Sequence, residues 1–321
     1  MMSENVALAT TDGSSGAVVS LVNWQTALEA FLNTLSSPRT QDAYQRAVTE
    51  AMRAMGEQRV ADLTPPMLAA YRAGLVARLD VDRKDRLSPS TVHLKLAALR
   101  SFLHFCRLTG VTLLSKDLIA FVLKSPKAEV HKPYAVLSEA ERRRFLEAAA
   151  AQGLREKALV SLALGAGLRV SELVNTRLRD FSQDQTGDWW LRIRMGKGRK
   201  DRIVPVHPSV MDGVKAWLTA DGRSLVRKSD RETYLFSTRQ SPRMSTARVW
   251  QIVKGLAREA GIEKPISPHS LRHTMAIEAL RAGAGAVIVQ KLLGHASLST
   301  TQRYVDHLER EDLRQWAFSP D

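Results

Sequence analysis

The segment "LLGHASLSTTQRYVDHLE" contains a histidine and a tyrosine that could take part in chemistry. Gly294 is expected to end one helix, so His295 should lie in the loop that follows it. Ser299 and Gln302 have the spacing of a capping box, which predicts a short new helix that carries Tyr304. A tyrosine in such a position commonly packs a last helix, but it can also be a covalent nucleophile if neighbouring groups activate it. This segment alone leaves both roles open.

The segment "SPHSLRHTMAIEAL" combines an imidazole and a guanidinium at the predicted start of a helix. Ser267 is a good N-cap and Pro268 suits the first helical position, so His269 falls in the first turn. Arg272 follows three residues later and therefore shares a helix face with His269. With the free backbone amides of a helix N-terminus, the two side chains are suited to bind an anion. The alternative is a surface helix with two unrelated polar residues.

The same helix raises the question of a zinc site. His269 and His273 are four residues apart and could present two imidazoles to one metal ion. However, Ser270 stands where a zinc-protease helix has glutamate, and Arg272 would repel a cation held between the histidines. Cys106 is the only cysteine of the sequence, which excludes an internal disulfide and a cysteine metal cluster. The sequence therefore predicts no metal and no other cofactor.

Arg169 follows a glycine-rich break in the apolar segment "ALVSLALGAGL". Burying a guanidinium without a partner is costly, and Glu172, three residues further on, is the expected partner. This pair could be purely structural, which is the simpler interpretation of the segment taken alone. It could also hold Arg169 in place while leaving some of its donors free for a ligand.

The segment "DWWLRIRMGKGRKDRIVPV" changes from helical to alternating periodicity. Two alternating runs flank Gly196, Lys197 and Gly198, which predicts a β-hairpin with the lysine at its tip. Lys200 and Arg202 follow on the second strand and are expected to contact phosphates. Most exposed hairpin lysines do only that, so a catalytic role for Lys197 depends on the residues around it.

Charge points to the class of partner. The net charge is +14 and the pI about 10.2, with 47 lysines and arginines against 33 acidic residues. A folded chain with such an excess suits a long polyanion, because neutralised phosphates release condensed counterions. No apolar run approaches the roughly 20 residues that span a bilayer, and no signal peptide is recognisable. We therefore expect a cytoplasmic protein that binds nucleic acid and not a membrane.

The periodicity predicts a mainly α fold with two domains. Residues 21–125 contain amphipathic helical segments such as "NWQTALEAFLNTL" and "SPSTVHLKLAALRSFLHFCRLTG", which predict an all-helical domain. Residues 126–135 are rich in proline and basic residues and predict an interdomain linker. Residues 136–321 return to helices around the hairpin, so the second domain should be helical with a small β-sheet. Residues 1–20 are predicted to form a flexible tail.

Taken in chain order, these segments resemble the tyrosine recombinase (phage integrase) family, especially its Xer-type members. The resemblance rests on "GLRVSELVNTR", "GKGRKDRIVPV", "HSLRHTMA" and "LLGHASLSTTQRYV". It extends over about residues 138–310. The helix "SPSTVHLKLAALRSFLHF" is similar to the core-binding domain that precedes the catalytic domain in this family. Because the motifs are separate and in the right order, the resemblance is specific, and it implies that the two domains form a DNA clamp.

The resemblance implies a site-specific DNA recombinase that works through a 3′-phosphotyrosine intermediate and a Holliday junction. Tyr304 would be the nucleophile, with His269 as its proton acceptor or orienting group. Arg169 and Arg272 would bind the non-bridging phosphate oxygens, where preorganised charge is commonly the largest catalytic term. His295 would add a hydrogen bond to the same phosphate.

The resemblance also implies a role for Lys197 and Glu172. Lys197 would be the general acid that protonates the departing 5′ oxygen, and Glu172 would orient the site. The phosphotyrosine bond stores the energy of the phosphodiester, so neither ATP nor a metal ion would be needed.

In the family, the active assembly is a homotetramer on two DNA duplexes, with a dimer on each short inverted-repeat core site. The resemblance implies the same partners here, and a second recombinase or an accessory protein could join them. The residues after Tyr304 would form a tail that docks on the neighbouring subunit through apolar side chains: Leu308, Leu313, Trp316 and Phe318. The alternative is that this tail packs on its own domain. Basic side chains outside the active site are expected to contact phosphates in the DNA: Lys127, Lys200, Arg202, Arg243, Lys254 and Arg258.

Two alternatives use the same residue types. A type IB-like enzyme would nick and reseal DNA without exchanging partners, and a catalytically silent relative would only bind DNA. The Xer-like N-terminal domain and the tail favour recombination, and the filled active-site positions disfavour a silent relative. The target sequence, and the choice between chromosome-dimer resolution and mobile-element integration or excision, stay open at this point.

Overall fold

The computed structural model describes residues 22–56, 59–81, 85–126, 135–194, 201–225, 227–295, 297–305 and 308. The chain divides into two compact units, an N-terminal unit Met1–His131 and a C-terminal unit Lys132–Asp321. The predicted tail, residues 1–20, and most of the predicted linker, residues 126–135, lie outside the described residues. In the described part of the chain, no helix is both long and apolar enough to cross a membrane.

The N-terminal unit is helical, as predicted. Most of its helices begin where a serine or asparagine caps the first turn: the side chain of Ser88, for example, accepts a hydrogen bond from the backbone of Thr91. The predicted apolar face of the longest of them is fully buried and forms the centre of this unit's core. The helices are α1 (Trp24–Asn33), α2 (Pro38–Ala54), α3 (Pro65–Ala77), α4 (Pro89–Leu108) and α5 (Lys116–Val122).

The C-terminal unit is built from helices around a separate core. Its helices are α6 (Glu139–Gln152), α7 (Leu154–Ala166), α8 (Val170–Asn175), α9 (Pro208–Ala220), α10 (Thr246–Glu259), α11 (Pro268–Arg281), α12 (Ala286–Leu293) and α13 (Leu298–Val305). A capping box formed by Ser138 and Glu141 is present at the start of α6. The fold is therefore mainly α in both units, which confirms the predicted class.

The predicted hairpin is confirmed by its strands. β2 (Trp189–Ile193) and β3 (Arg202–Val206) pair antiparallel, with Leu191 opposite Val204. The predicted tip, residues 195–200, lies outside the described residues. A further strand, β1 (Phe181–Gln183), pairs with β2 and was not predicted, because three residues are too few to establish an alternation.

Two helices next to the candidate site end at glycines. α7 ends at Gly167 and α12 ends at Gly294, both with left-handed backbone (φ 59° and 65°). Ser267 caps α11 by accepting a hydrogen bond from the backbone of Ser270, as predicted. The N-cap predicted at Ser299 is wrong, because α13 begins one residue earlier, at Leu298.

The core of the N-terminal unit gives the first testable prediction. Phe102 on α4 is fully buried, and its ring lies 5.8 Å from that of Phe31. Phe102→Ala should lower the free energy of unfolding by roughly 3–5 kcal/mol, because it leaves a cavity that the helices cannot fill. Urea unfolding followed by circular dichroism measures the change. Leu108→Ala, at a residue 67% exposed on the same helix, is the control, and an equal loss in that variant would contradict the assignment of the core.

Candidate active site

Glu172 lies at the centre of the candidate site. Its Oε2 accepts a hydrogen bond from the backbone N–H of Arg169 at 2.8 Å, and its Oε1 accepts one from Arg169 Nη1 at 2.8 Å. The carboxylate is 7% exposed, whereas the Arg169 side chain is 31% exposed. The ion pair predicted from the spacing is therefore present, and it leaves part of the Arg169 guanidinium open to a ligand.

Arg202 on β3 also binds this carboxylate. Its Nη1 and Nη2 donate to the two oxygens of Glu172 at 2.9 and 2.8 Å, and its Nε donates to the carbonyl of Leu292 at 2.9 Å. Its side chain also packs against Gly294, where an added Cβ would come within 2.9 Å of Arg202 Cδ. Arg202 thus links the hairpin strand to α8 and to the end of α12.

These contacts hold Glu172 ionised. Burial alone would raise the pKa of this carboxyl, but the hydrogen bonds and charges of Arg202 and Arg169 outweigh it and lower the pKa to about 2. A buried carboxylate with two guanidinium partners is a fixed negative charge at neutral pH. It allows several arginines to lie close together without mutual repulsion dominating.

Arg272 forms the buried side of the site. It is 1% exposed, and its Nη1 and Nη2 donate to the carbonyls of Gly167 and Leu293, each at 2.6 Å. Its guanidinium lies 3.8 Å from Glu172. Within the described residues, the buried Nε of Arg272 has no hydrogen-bond partner. Burial and the charge of Arg169 lower the Arg272 pKa to about 10, so the group still carries its charge at neutral pH.

Two imidazoles border these arginines. Nδ1 of His295 lies 2.9 Å from Oγ1 of Thr301, and burial with the nearby charges of Arg272 and Arg169 lowers the His295 pKa to about 4. The same causes lower the pKa of His269, which stands in the first turn of α11 and is exposed. Both rings are therefore neutral at about pH 7 and can each offer one N–H donor and one acceptor.

Tyr304 is buried beside them. It is 3% exposed, and its ring stacks on that of His295 with the planes 10° apart and the centroids 5.9 Å apart. Its hydroxyl lies 2.9 Å from Nδ1 of His273, and both groups are buried. The structure thus gives the phenol an imidazole neighbour from α11, but that neighbour is His273 and not His269, which was predicted to orient the hydroxyl.

The structure brings together most of the residues predicted for the active site. Arg169, Glu172 and Arg272 share hydrogen bonds or ion pairs, and His295 and Tyr304 stack on each other beside them. Several predicted residues lie outside the described part of the chain: Lys127, Lys197, Lys200 and tail residues 309–321. Their roles stay predictions.

The predicted phosphate contacts fall into two groups. Arg243, Lys254 and Arg258 are exposed, and Lys254 lies over the ring of Trp250 at 5.9 Å. Arg202 differs, because its guanidinium is buried against Glu172 and the end of α12. All four assignments to DNA phosphates stay predictions.

Two features of the site were missed by sequence reasoning. Arg202 was assigned to the surface, although the alternation of β3 puts it on the same face as the buried Val204 and Val206. His273 was considered only as a zinc ligand, and its place beside Tyr304 comes from the packing of α13 on α11. Among the described residues, no group of three or more histidine, cysteine or acidic side chains could hold a metal ion.

Comparisons with known proteins agree with this geometry. The model of the phage integrase family matches residues 135–311, and that of the N-terminal SAM-like domain of phage integrases matches residues 28–110. The tyrosine recombinase XerD of Oceanobacillus iheyensis is 32% identical over 286 residues, which cover 87% of this chain and 90% of the relative. The tyrosine recombinase XerA of Thermococcus kodakarensis is 35% identical over 235 residues, or 71% of this chain and 76% of the relative.

Solved structures show the same architecture. The crystal structure of XerA recombinase matches with a TM-score of 0.50 and 29% identity, covering 91% of this chain and 97% of that one. A lambda integrase dimer bound to a COC′ core site matches with a TM-score of 0.69 at 17% identity, covering 89% and 95% of the two chains. The family model matches more than half of this chain, and relatives more than 30% identical align with most of it. The chain therefore belongs to the tyrosine recombinases of the phage integrase family, which cleave and rejoin DNA at specific sites.

Proposed function

We propose that this recombinase cleaves short core sites by covalent attachment of Tyr304 to the 3′ phosphate of the broken strand. The observation that carries the proposal is the single cluster formed by Arg169, Glu172, Arg272, His295 and Tyr304. Guanidinium groups, neutral imidazoles and a phenol can together supply the charge stabilisation, proton transfer and nucleophile of a phosphodiester transfer.

The arginines would stabilise the transition state. Attack on a phosphodiester increases the negative charge on the non-bridging oxygens, and guanidinium donors that are already in position stabilise it without reorganising. The exposed part of Arg169 and the Nε of Arg272, which has no hydrogen-bond partner among the described residues, are donors available for these oxygens. Neutral His295 would donate a further hydrogen bond from its ring.

The nucleophile and the leaving group need opposite proton transfers. A free phenol has a pKa of about 10, so the proton of Tyr304 must pass to a base as the bond to phosphorus forms. The departing 5′ oxygen must gain a proton, and Lys197 is proposed as its donor. Attack of a 5′ hydroxyl from the second duplex on the phosphotyrosine would then complete strand exchange through a Holliday junction.

The proposed assembly is a tetramer on two duplexes with a dimer at each inverted-repeat core site. A matched lambda integrase structure is a dimer on a core site, and a matched XerH structure is bound to a palindromic substrate. The net charge of +14 and the exposed Arg243, Lys254 and Arg258 suit binding along DNA phosphates. A cytoplasmic location, a possible partner recombinase, and the docking of the tail on a neighbouring subunit belong to the same proposal.

Covalent chemistry at Tyr304 gives a direct test. A nicked suicide substrate that carries the protein's own site should trap a protein–DNA adduct on a denaturing gel, because the cleaved strand end diffuses away. Tyr304→Phe should form no adduct, because the nucleophilic oxygen is removed, while binding to the site is kept. Tyr44→Phe, at a tyrosine of the N-terminal unit, is the matched control and should react like the wild type. An adduct in Tyr304→Phe would show that another residue is the nucleophile, and a wild type without adduct would support a DNA-binding role.

Glu172 gives a prediction with a defined pH dependence. Because its folded pKa is about 2, below the ordinary 4.5, its ionisation stabilises the fold above about pH 4.5, and this stability is lost as the pH falls towards 2. Glu172→Gln should therefore lower the free energy of unfolding by roughly 3 kcal/mol near neutral pH, with a difference that shrinks steadily in acid. Glu172→Gln should also slow adduct formation, because Arg169 and Arg202 lose the carboxylate that holds them in position.

Urea unfolding at a series of pH values measures this difference. Glu147→Gln, on the exposed face of α6, is the control and should follow the wild type throughout. A Glu172→Gln effect that does not change with pH would mean that packing, and not the charge of the carboxylate, accounts for the loss.

A further inference from the structure

A buried histidine that the proposed mechanism does not use lies against the nucleophile. His273 on α11 is 4% exposed, and its Nδ1 lies 2.9 Å from the hydroxyl oxygen of Tyr304. Its ring is also in edge-on contact with that of His269 one turn earlier, with centroids 4.3 Å apart. His269 is thus exposed at the site, whereas His273 is buried against Tyr304.

We infer that His273, rather than His269, accepts the proton of Tyr304 during cleavage. The inference rests on the proposed role of Tyr304 as nucleophile. A base must lie within hydrogen-bond reach of the proton that it removes, and the Nδ1 of His273 meets this condition in the structure. In the tautomer with the proton on Nε2, Nδ1 is an acceptor and the phenol donates to it.

The other histidine beside the phenol is less suited to the task. The Nδ1 of His295 is engaged with Oγ1 of Thr301 at 2.9 Å, and its ring lies parallel to that of Tyr304. A stacked imidazole can face a phosphate that the phenol attacks, and this agrees with the phosphate-binding role proposed for it. The two histidines therefore have different roles: His295 binds the phosphate, and His273 accepts the proton of the nucleophile.

The step balances in both directions. The hydroxyl oxygen of Tyr304 bonds to phosphorus and its proton passes to Nδ1 of His273, while the bond from phosphorus to the 5′ oxygen breaks and that oxygen takes a proton from the general acid. In the reverse step, a 5′ hydroxyl attacks phosphorus, the tyrosine oxygen leaves, and His273 returns the proton to it. No oxidant, metal ion or nucleotide is required.

Adduct formation in His273→Asn and His273→Gln tests the inference. Both variants can keep a hydrogen bond to the phenol, but neither amide can take its proton. On the nicked suicide substrate the rate should fall roughly 10²-fold or more, the range for loss of a general base, with binding to the site unchanged. His207→Asn, which replaces an exposed histidine at the N-cap of α9 by another good cap, should react like the wild type.

Two chemical substitutions separate a base from a purely structural neighbour. A substrate with sulfur in place of the bridging 5′ oxygen has a leaving group that needs no proton, so it should restore a Lys197→Ala variant but not His273→Asn. Replacing Tyr304 by difluorotyrosine, whose phenol is far more acidic, should in contrast restore much of the rate of His273→Asn. Thermal unfolding of each variant is measured together with its rate, to show whether a slow rate comes from a loss of folding.

The outcomes are distinct. A wild-type rate in both His273 variants, or a defect that difluorotyrosine does not reduce, would overturn the inference while leaving Tyr304 as the nucleophile. The same rescue seen for His269→Asn and absent for His273→Asn would return the base to His269. A wild type that forms no adduct would overturn the proposed function, and the inference with it.

Discussion

The buried carboxylate of Glu172 is the interaction on which the site depends. It accepts hydrogen bonds from Arg169 and Arg202 and lies 3.8 Å from Arg272. Without it, three guanidinium groups would face one another in a partly desolvated space, where like charges repel strongly. Because these arginines come from α8, β3 and α11, one carboxylate fixes the relative positions of elements that are distant in the sequence.

The ends of two helices complete this arrangement. Arg272 donates to the carbonyls of Gly167 and Leu293, and Arg202 donates to that of Leu292, all at or beside the C-terminal ends of α7 and α12. The last carbonyls of a helix have no partner within it and carry partial negative charge, so they stabilise a nearby cation. A guanidinium that is 1% exposed can therefore stay charged at neutral pH, although its pKa is lowered to about 10.

Local signals account for what the sequence predicted well. Glycines after helices, serine caps and the spacing of Arg169 and Glu172 act over a few residues, and the structure contains them apart from the cap expected at Ser299. The role of Arg202 depends on contacts with residues 30 and 90 positions away, and the contact between His273 and Tyr304 spans 31 positions. Such contacts follow from how helices and strands pack, which periodicity alone does not define. The family resemblance implied roles for the motif residues, but it did not indicate these contacts.

The positive charge of the site also determines what its histidines can do. Burial lowers the pKa of His295 and of His269, and the arginines that would attract a phosphate lower it further, because a second positive charge beside them is unfavourable. An imidazole held neutral can donate a hydrogen bond to phosphate, and it also keeps a free nitrogen for a proton. The guanidinium groups thus supply charge, and the neutral rings supply hydrogen bonds and proton acceptance. A site that must both bind a phosphodiester and deprotonate a phenol needs these two kinds of group together, because a guanidinium cannot accept the proton and a neutral ring cannot supply the positive charge.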